Sequence, residues 1–213
     1  MRSTDIYYVR AFEGPLHERC YRLWKMYAAQ AGEGVRVIEV PNPHGWRHAE
    51  CFNKIFHFAR YQPARVVILT EADFLPTPDF AKRIEERLTK EAYGVEYATR
   101  DPQTLDPIFH GMPGGWMCAL DSDACAEKTI DFEGGGGAFN DPGNQLADQL
   151  DMDVEQGRGD DGYGLVYPYG VHLFWSRHYN ERPGTVINGF DLDDIKDYVE
   201  ETIETYEELY GLA

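Results

Sequence analysis

Short apolar runs alternate with amphipathic stretches through the first ninety residues. Asp5-Ile6-Tyr7-Tyr8-Val9 has the β-branched and aromatic character of a strand. Residues 17–31 repeat apolar side chains at helical spacing, with Cys20, Leu23, Trp24, Tyr27 and Ala28 on one face and Gly32 and Gly34 just beyond. Residues 35–40 form a second apolar run, closed by Pro41-Asn42-Pro43. A second helix is expected over 48–61, turning Cys51, Ile55, Phe56 and Ala59 inward. A buried strand follows at 66–70, then a helix over about 78–91. This β-α-β-α-β-α order implies a largely parallel sheet covered by helices.

The second half is less regular. Residues 94–99 and 116–120 read as strands, the latter after Gly111-Met112-Pro113-Gly114-Gly115. Four successive glycines, 134–137, mark a loop that lacks the Gly-Lys-Ser/Thr ending of a phosphate loop. Asn140-Asp141-Pro142-Gly143 opens a helix through residue 150, with Asp141 as N-cap and Pro142 at the first helical position. Residues 151–164 are acidic and glycine-rich, which predicts a mobile loop. Residues 165–175 return to strand composition. Residues 191–212 form an amphipathic helix, with Ile195, Val199, Ile203, Tyr206 and Leu209 on its apolar face and a solvated acidic face opposite.

Composition narrows the class. A chain of 213 residues with 43% hydrophobic side chains and 14 tyrosines has enough apolar surface for one well-cored domain. The 37 acidic and 20 basic residues leave a net charge of -17, which disfavours nucleic acid at long range. Cys20, Cys51, Cys118 and Cys125 are scattered without a Cys-x-x-Cys pair, so reduced packing cysteines are expected. No apolar stretch has the length of a membrane span, and Ile6-Tyr7-Tyr8-Val9 follows the start without the apolar core of a signal peptide. A cytoplasmic location is the expectation.

The candidate chemistry sits after the third strand, at Glu71-Ala72-Asp73. Residues i and i+2 of a strand point the same way, so both carboxylates emerge past its carboxyl end, where open α/β sheets place their ligands. Two carboxylates crowded together repel unless a cation lies between them, and a divalent ion with oxygen ligands suits the pair. The alternative is a solvated acidic turn.

The order of motifs resembles the nucleotide-sugar-dependent glycosyltransferases of the GT-A fold, over roughly residues 5–178. Glu71-Ala72-Asp73 with Leu75-Pro76-Thr77-Pro78-Asp79-Phe80 is similar to that family's Asp-x-Asp metal motif and its continuation, with Glu in the first place. His48-Ala49-Glu50-Cys51-Phe52-Asn53-Lys54 resembles the run-up to it. Gly114-Gly115-Trp116 resembles the acceptor-side loop. Asn140-Asp141 stands where the family has its late acidic motif, more often Glu-Asp. Val171-His172-Leu173-Phe174-Trp175 resembles the late strand with a metal-binding histidine.

The resemblance implies an α/β, GT-A-like fold in one domain: a nucleotide-binding half over about 1–100, an acceptor-binding half over about 101–190, and a C-terminal helix over 191–212. It implies a hexosyl- or pentosyltransferase that takes a nucleoside-diphosphate sugar as donor and Mn²⁺ or Mg²⁺ as cofactor. Asp73 and His172 would be metal ligands, with Glu71 on the metal or a ribose; His178 is the rival histidine, and Arg177 a partner for the diphosphate. An imidazole ligand favours Mn²⁺. Arg10 and Glu39 would face the nucleotide, Gly114, Gly115 and Trp116 the acceptor, and Asp141 would act as base toward the acceptor hydroxyl. The acceptor is a glycan, a small molecule, a protein or, against the charge of the chain, a modified nucleobase in DNA.

Two other readings compete. A nucleotidyltransferase acting on sugar phosphates also uses paired carboxylates, but Arg10-Ala11-Phe12-Glu13-Gly14-Pro15 is poor in the glycines and cations its phosphate loop needs. A non-catalytic binding module would use Glu71 and Asp73 only to cap a turn. His44 and His48 lack the Glu of a metalloprotease helix, and Asp151, Asp153 and Glu155 lack the glycine and closing Glu of a calcium loop.

Overall fold

The computed structural model describes residues 3–10, 13–42, 51, 53–55, 64–101, 104, 106–126, 128, 130, 142–159, 164–173, 186–187 and 190–212. Strand β1 (Thr4–Arg10) is followed by helix α1 (Pro15–Gln30), β2 (Val35–Pro41), β3 (Val66–Glu71) and a short β4 (Phe74–Pro76). Helix α2 (Phe80–Arg87), β5 (Ala92–Arg100) and the long β6 (Pro107–Asp121) come next. Then follow α3 (Ser122–Cys125), α4 (Pro142–Ala147), β7 (Met152–Glu155), β8 (Arg158–Gly159), β9 (Gly164–Tyr167) and β10 (Gly170–Leu173). The last elements are β11 (Val186–Ile187), β12 (Phe190–Asp191) and α5 (Leu192–Leu209).

Six strands make the central sheet in the order β2-β1-β3-β6-β5-β7. β1 pairs in parallel with β2 and β3, and β5 with β7, while β6 runs antiparallel to both β3 and β5. Only β6 is reversed, so the sheet is mostly parallel. Because β2 and β3 lie on opposite sides of β1, the crossover direction reverses there, and that reversal opens a crevice beyond the strands' carboxyl ends.

Strand alternation gives the sheet an apolar core on each face. Ile6, Tyr8, Val66 and Ile68 pack with Leu23, Trp24, Tyr27, Phe80 and Ile84, and with Ile195, Val199 and Ile203 of α5. Tyr7, Val9, Val67 and Leu69 pack with Cys51, Ile55, Cys125, Leu146 and Leu150 on the other face. All four cysteines are buried thiols outside any disulfide. Helix α5 is tied to α1 by Glu207, whose carboxylate accepts from Arg19 Nε at 3.1 Å and Nη2 at 2.7 Å and also from Arg22. The Arg19 hydrogen bonds hold the Glu207 carboxyl below its usual range. Among the described residues, no helix is long and apolar enough to cross a membrane.

The structure differs from the sequence expectations at five places, four of them with physical causes. The span 165–175 contains a hairpin, β9 and β10, that turns at Pro168-Tyr169; proline cannot donate to a ladder. With β4 and β8 it builds a second, antiparallel sheet. Residues 152–155, expected in a mobile loop, form the edge strand β7, because its alternating acids find partners on the adjacent elements. Asp153 meets Lys90 at 2.9 Å, and Glu155 accepts from Arg87 at 2.9 Å and from Tyr93. β6 begins at Pro107, so the glycine-rich segment before Trp116 is strand, bent by bulges in its pairing with β5. On α5, Leu209 is 51% exposed and Tyr210 takes the buried place, donating its hydroxyl to Pro76 O at 2.7 Å. Ala28 is likewise exposed rather than on the packed face of α1.

Candidate functional site

The site begins where β3 runs out. Val9 pairs with Glu71, so the end of β3 lies level with the end of β1. The next two residues turn, and three hydrogen bonds fix that turn. Ala72 N donates to Val9 O at 3.3 Å, Trp24 Nε1 donates to Ala72 O at 3.1 Å, and Leu173 N donates to Asp73 O at 3.0 Å. β4 then pairs antiparallel with β10, placing His172 opposite Phe74 and therefore beside Asp73. A strand drawn from a hundred residues later thus delivers the imidazole to the carboxylates.

Glu71, Asp73 and His172 each offer one ligand atom, and the three atoms lie within 4.8 Å of one another. His172 Nε2 is 3.9 Å from Glu71 Oε2 and 3.8 Å from Asp73 Oδ1, and no more than 12% of any of the three side chains is exposed. Ligand atoms each about 2.1 Å from a common ion are separated by at most about 4.2 Å, so both measured pairs can span one small divalent cation. The donor set of two carboxylates and one imidazole fits Mn²⁺ better than Mg²⁺, which prefers oxygen. Burial, then the Asp73 carboxylate, pushes the Cys20 thiol up.

Arg10 and Glu39 occupy the same end of the sheet. Arg10 closes β1, and Glu39 stands near the end of β2 opposite Tyr8. Their side chains approach to 3.6 Å, and Arg10 also pairs with Glu18 and lies 4.4 Å over the Tyr21 ring. Tyr8 donates its hydroxyl to Glu39 Oε2 at 2.6 Å. Burial, then that bond, pushes the Tyr8 hydroxyl well above its ordinary range. The four polar residues expected to face donor and metal, Arg10, Glu39, Glu71 and Asp73, therefore share one edge.

Gly114, Gly115 and Trp116 lie buried within β6, immediately before Met117, the residue paired with Thr70. Trp116 stacks on His172, ring centroids 4.9 Å apart and planes 6° apart. Helix α4 begins at Pro142 as expected, and it does so against this strand: a Cβ on Gly143 would lie 2.5 Å from the Gly114 carbonyl carbon. Only a glycine lets the helix come so close. Asp141, Arg177, His178, His44, His48 and the glycines 134–137 lie outside the described residues.

Three contributors were not singled out from the sequence. Trp24 was legible only as one apolar residue on the face of α1, although its indole N–H holds the Glu71–Asp73 turn. Tyr8 carried a strand signal and nothing more. Thr70 donates its hydroxyl to Trp116 O at 3.0 Å, joining β3 to β6 one residue before Glu71. A polar residue inside the apolar run 66–70 was the available sign.

No family model matches the chain, and no curated protein matches it. Among solved structures it is similar to the A197 protein of STIV, with TM-score 0.49 and 10% identity over 88% of this chain and 98% of the other. It is similar to a Drosophila beta-1,4-galactosyltransferase 7 variant in complex with manganese, UDP-Gal and xylobiose, with TM-score 0.46 and 14% identity over 86% and 76% of the two chains. A candidate nucleotide-diphospho-sugar transferase from Desulfovibrio desulfuricans G20 is similar at TM-score 0.42 and 11% identity, over 97% and 99%.

Proposed function

We propose that this chain is a metal-dependent glycosyltransferase that moves a sugar from a nucleoside-diphosphate sugar to an acceptor hydroxyl. The observation that carries the reading is the convergence of Glu71, Asp73 and His172 at the carboxyl end of β3, beside the crossover reversal at β1. Asp73 and His172 are the principal ligands in this reading, and Glu71 completes the set or meets a donor ribose. A divalent ion bound there supplies Lewis-acid neutralisation of the leaving diphosphate.

The remaining roles belong to the chain itself. Glu39, oriented by Tyr8, accepts from the ribose or base of the donor, and Arg10 opposes its negative charge. Asp141, next in sequence to the start of α4, takes the proton of the acceptor hydroxyl. The acceptor oxygen then bonds to the anomeric carbon, and the bond from that carbon to the diphosphate oxygen breaks. The electron pair leaves with the nucleoside diphosphate. A single displacement of this kind inverts the anomeric centre. Gly114 and Gly115, beside α4, belong to the acceptor side of the same crevice.

Donor turnover is the test. Incubation with a panel of nucleoside-diphosphate sugars and Mn²⁺ is expected to release nucleoside diphosphate from one of them, slowly to water and faster when the right hydroxyl is supplied. Release should stop with chelator and in Asp141→Asn if that residue is the base. Absence of release from every donor, with Mn²⁺ bound, would contradict the transferase reading.

A further inference from the structure

We propose that Trp116 is a positioning residue for His172, its stacked indole setting the plane in which the imidazole meets the ion. This rests on the metal reading of the site. β10 fixes only the backbone of His172; the ring still turns about two side-chain bonds. The indole removes that freedom by lying parallel to the imidazole at 4.9 Å and 6°. An imidazole made electron-poor by a cation is attracted more strongly to an indole face, so the stack favours the metal-bound form.

Trp116 is itself held from several sides. Its ring lies 5.7 Å from that of Tyr97. Its outer edge rests on Gly114, where a Cβ would sit 2.8 Å from Cζ3 and Cη2 of the indole, and Gly114 is backed in turn by Gly143 of α4. Its carbonyl accepts from Thr70, the residue before Glu71. The backbone that bears the orienting ring is thus tied to the strand that carries the first carboxylate. With 6% of its surface exposed, it keeps little area for stacking on an acceptor sugar.

The experiment uses Mn²⁺ alone, titrated into parent, Trp116→Leu, Trp116→Phe, His172→Ala and the two double variants, with free Mn²⁺ read by electron paramagnetic resonance. Melting in chelator establishes that each is folded. Trp116→Leu is expected to weaken Mn²⁺ binding about tenfold, the scale of losing a group that orients a ligand. Trp116→Phe keeps a ring and should lose clearly less than Trp116→Leu. Neither change should weaken binding further in the His172→Ala background, since the coupling runs through that ring. Unchanged affinity in folded Trp116→Leu would overturn the proposal, as would a loss that persists without His172. Should Trp116→Leu fail to fold, Trp116→Met, which also lacks a ring, takes its place and is judged by the same criterion, alone and with His172→Ala. A parent that binds no Mn²⁺ would instead sink the metal reading itself.

Discussion

Asp73→Asn is expected to be at least as stable as the parent in chelator, and less stable than the parent once Mn²⁺ is added. The crossing follows from the geometry. Asp73 is buried to 6% exposure, and its carboxylate lies in one cluster with that of Glu71. Without a cation the two negative groups repel in a poorly solvated place, so removing one charge relieves strain. With Mn²⁺ at about 100 times its dissociation constant, the parent gains about 2.7 kcal/mol of folded-state stability. The asparagine amide is a poor replacement for a carboxylate ligand, and Mn²⁺ affinity should fall by at least about 100-fold, more than losing an outer partner costs. Paired melting curves in chelator and in Mn²⁺ read both effects. A variant that melts below the parent in chelator yet gains as much from Mn²⁺ would remove Asp73 from the ligand set.

Gly170→Ala should strike fold and site together. Gly170 opens β10 opposite Pro76, and a Cβ there would lie 2.5 Å from the Leu75 carbonyl oxygen and collide with the Phe74 ring. Neither neighbour can yield easily. The carbonyl belongs to β4, and Phe74 is fully buried among Phe80, Tyr167 and Tyr169. β10 must therefore shift away from β4, which costs about 1–3 kcal/mol as overpacking does. Because His172 stands two residues further along that strand, the shift also separates the imidazole from Asp73. Denaturant unfolding should show the lost stability, and Mn²⁺ titration a weaker site. Gly32→Ala is the control: nothing lies within 4 Å of its Cβ, and its effect should stay within about 0.5 kcal/mol. Equal stability of the two variants would contradict the account of how β10 is seated.

The strands at 5–9, 35–40 and 66–70 and helix α1 were legible because their signals are local; the helix expected over 48–61 lies mostly outside the described residues. The apolar runs at 5–9, 35–40 and 66–70 and the helical face of Cys20, Leu23, Trp24 and Tyr27 each announce an element on their own. The observed bounds differ from the expected ones by one or two residues at most ends. What the pattern did not carry were pairings made across long sequence separations. β7 is acidic and looks like loop until Lys90, Arg87 and Tyr93 stand beside it. β4 is three residues long and is a strand only because β10 arrives next to it. Gly111, Gly114 and Gly115 read as a loop because periodicity does not reveal that the Trp116 ring rests on Gly114, or that Gly111 takes a positive φ inside a strand.

The site divides in the same way. Glu71 and Asp73 were visible from the chemistry of two carboxylates ending an apolar run. His172 had no such local mark: it is one histidine in an apolar strand, and only the order of the motifs pointed to it. Its closeness to both carboxylates depends on the β4–β10 ladder, which is tertiary. Trp116 was expected on the acceptor side; its stacking on His172 depends on the same tertiary pairing and had no mark in the sequence.

The most direct test of the central claim is thermal melting of the protein with a panel of nucleoside diphosphates, each with and without Mn²⁺. A rise in melting temperature is expected for one nucleotide and should require the metal, because Glu71, Asp73 and His172 would hold an ion that neutralises the diphosphate. No rise with any nucleotide, at concentrations where a known nucleotide-binding enzyme responds, would contradict it and leave the two carboxylates as the cap of a turn.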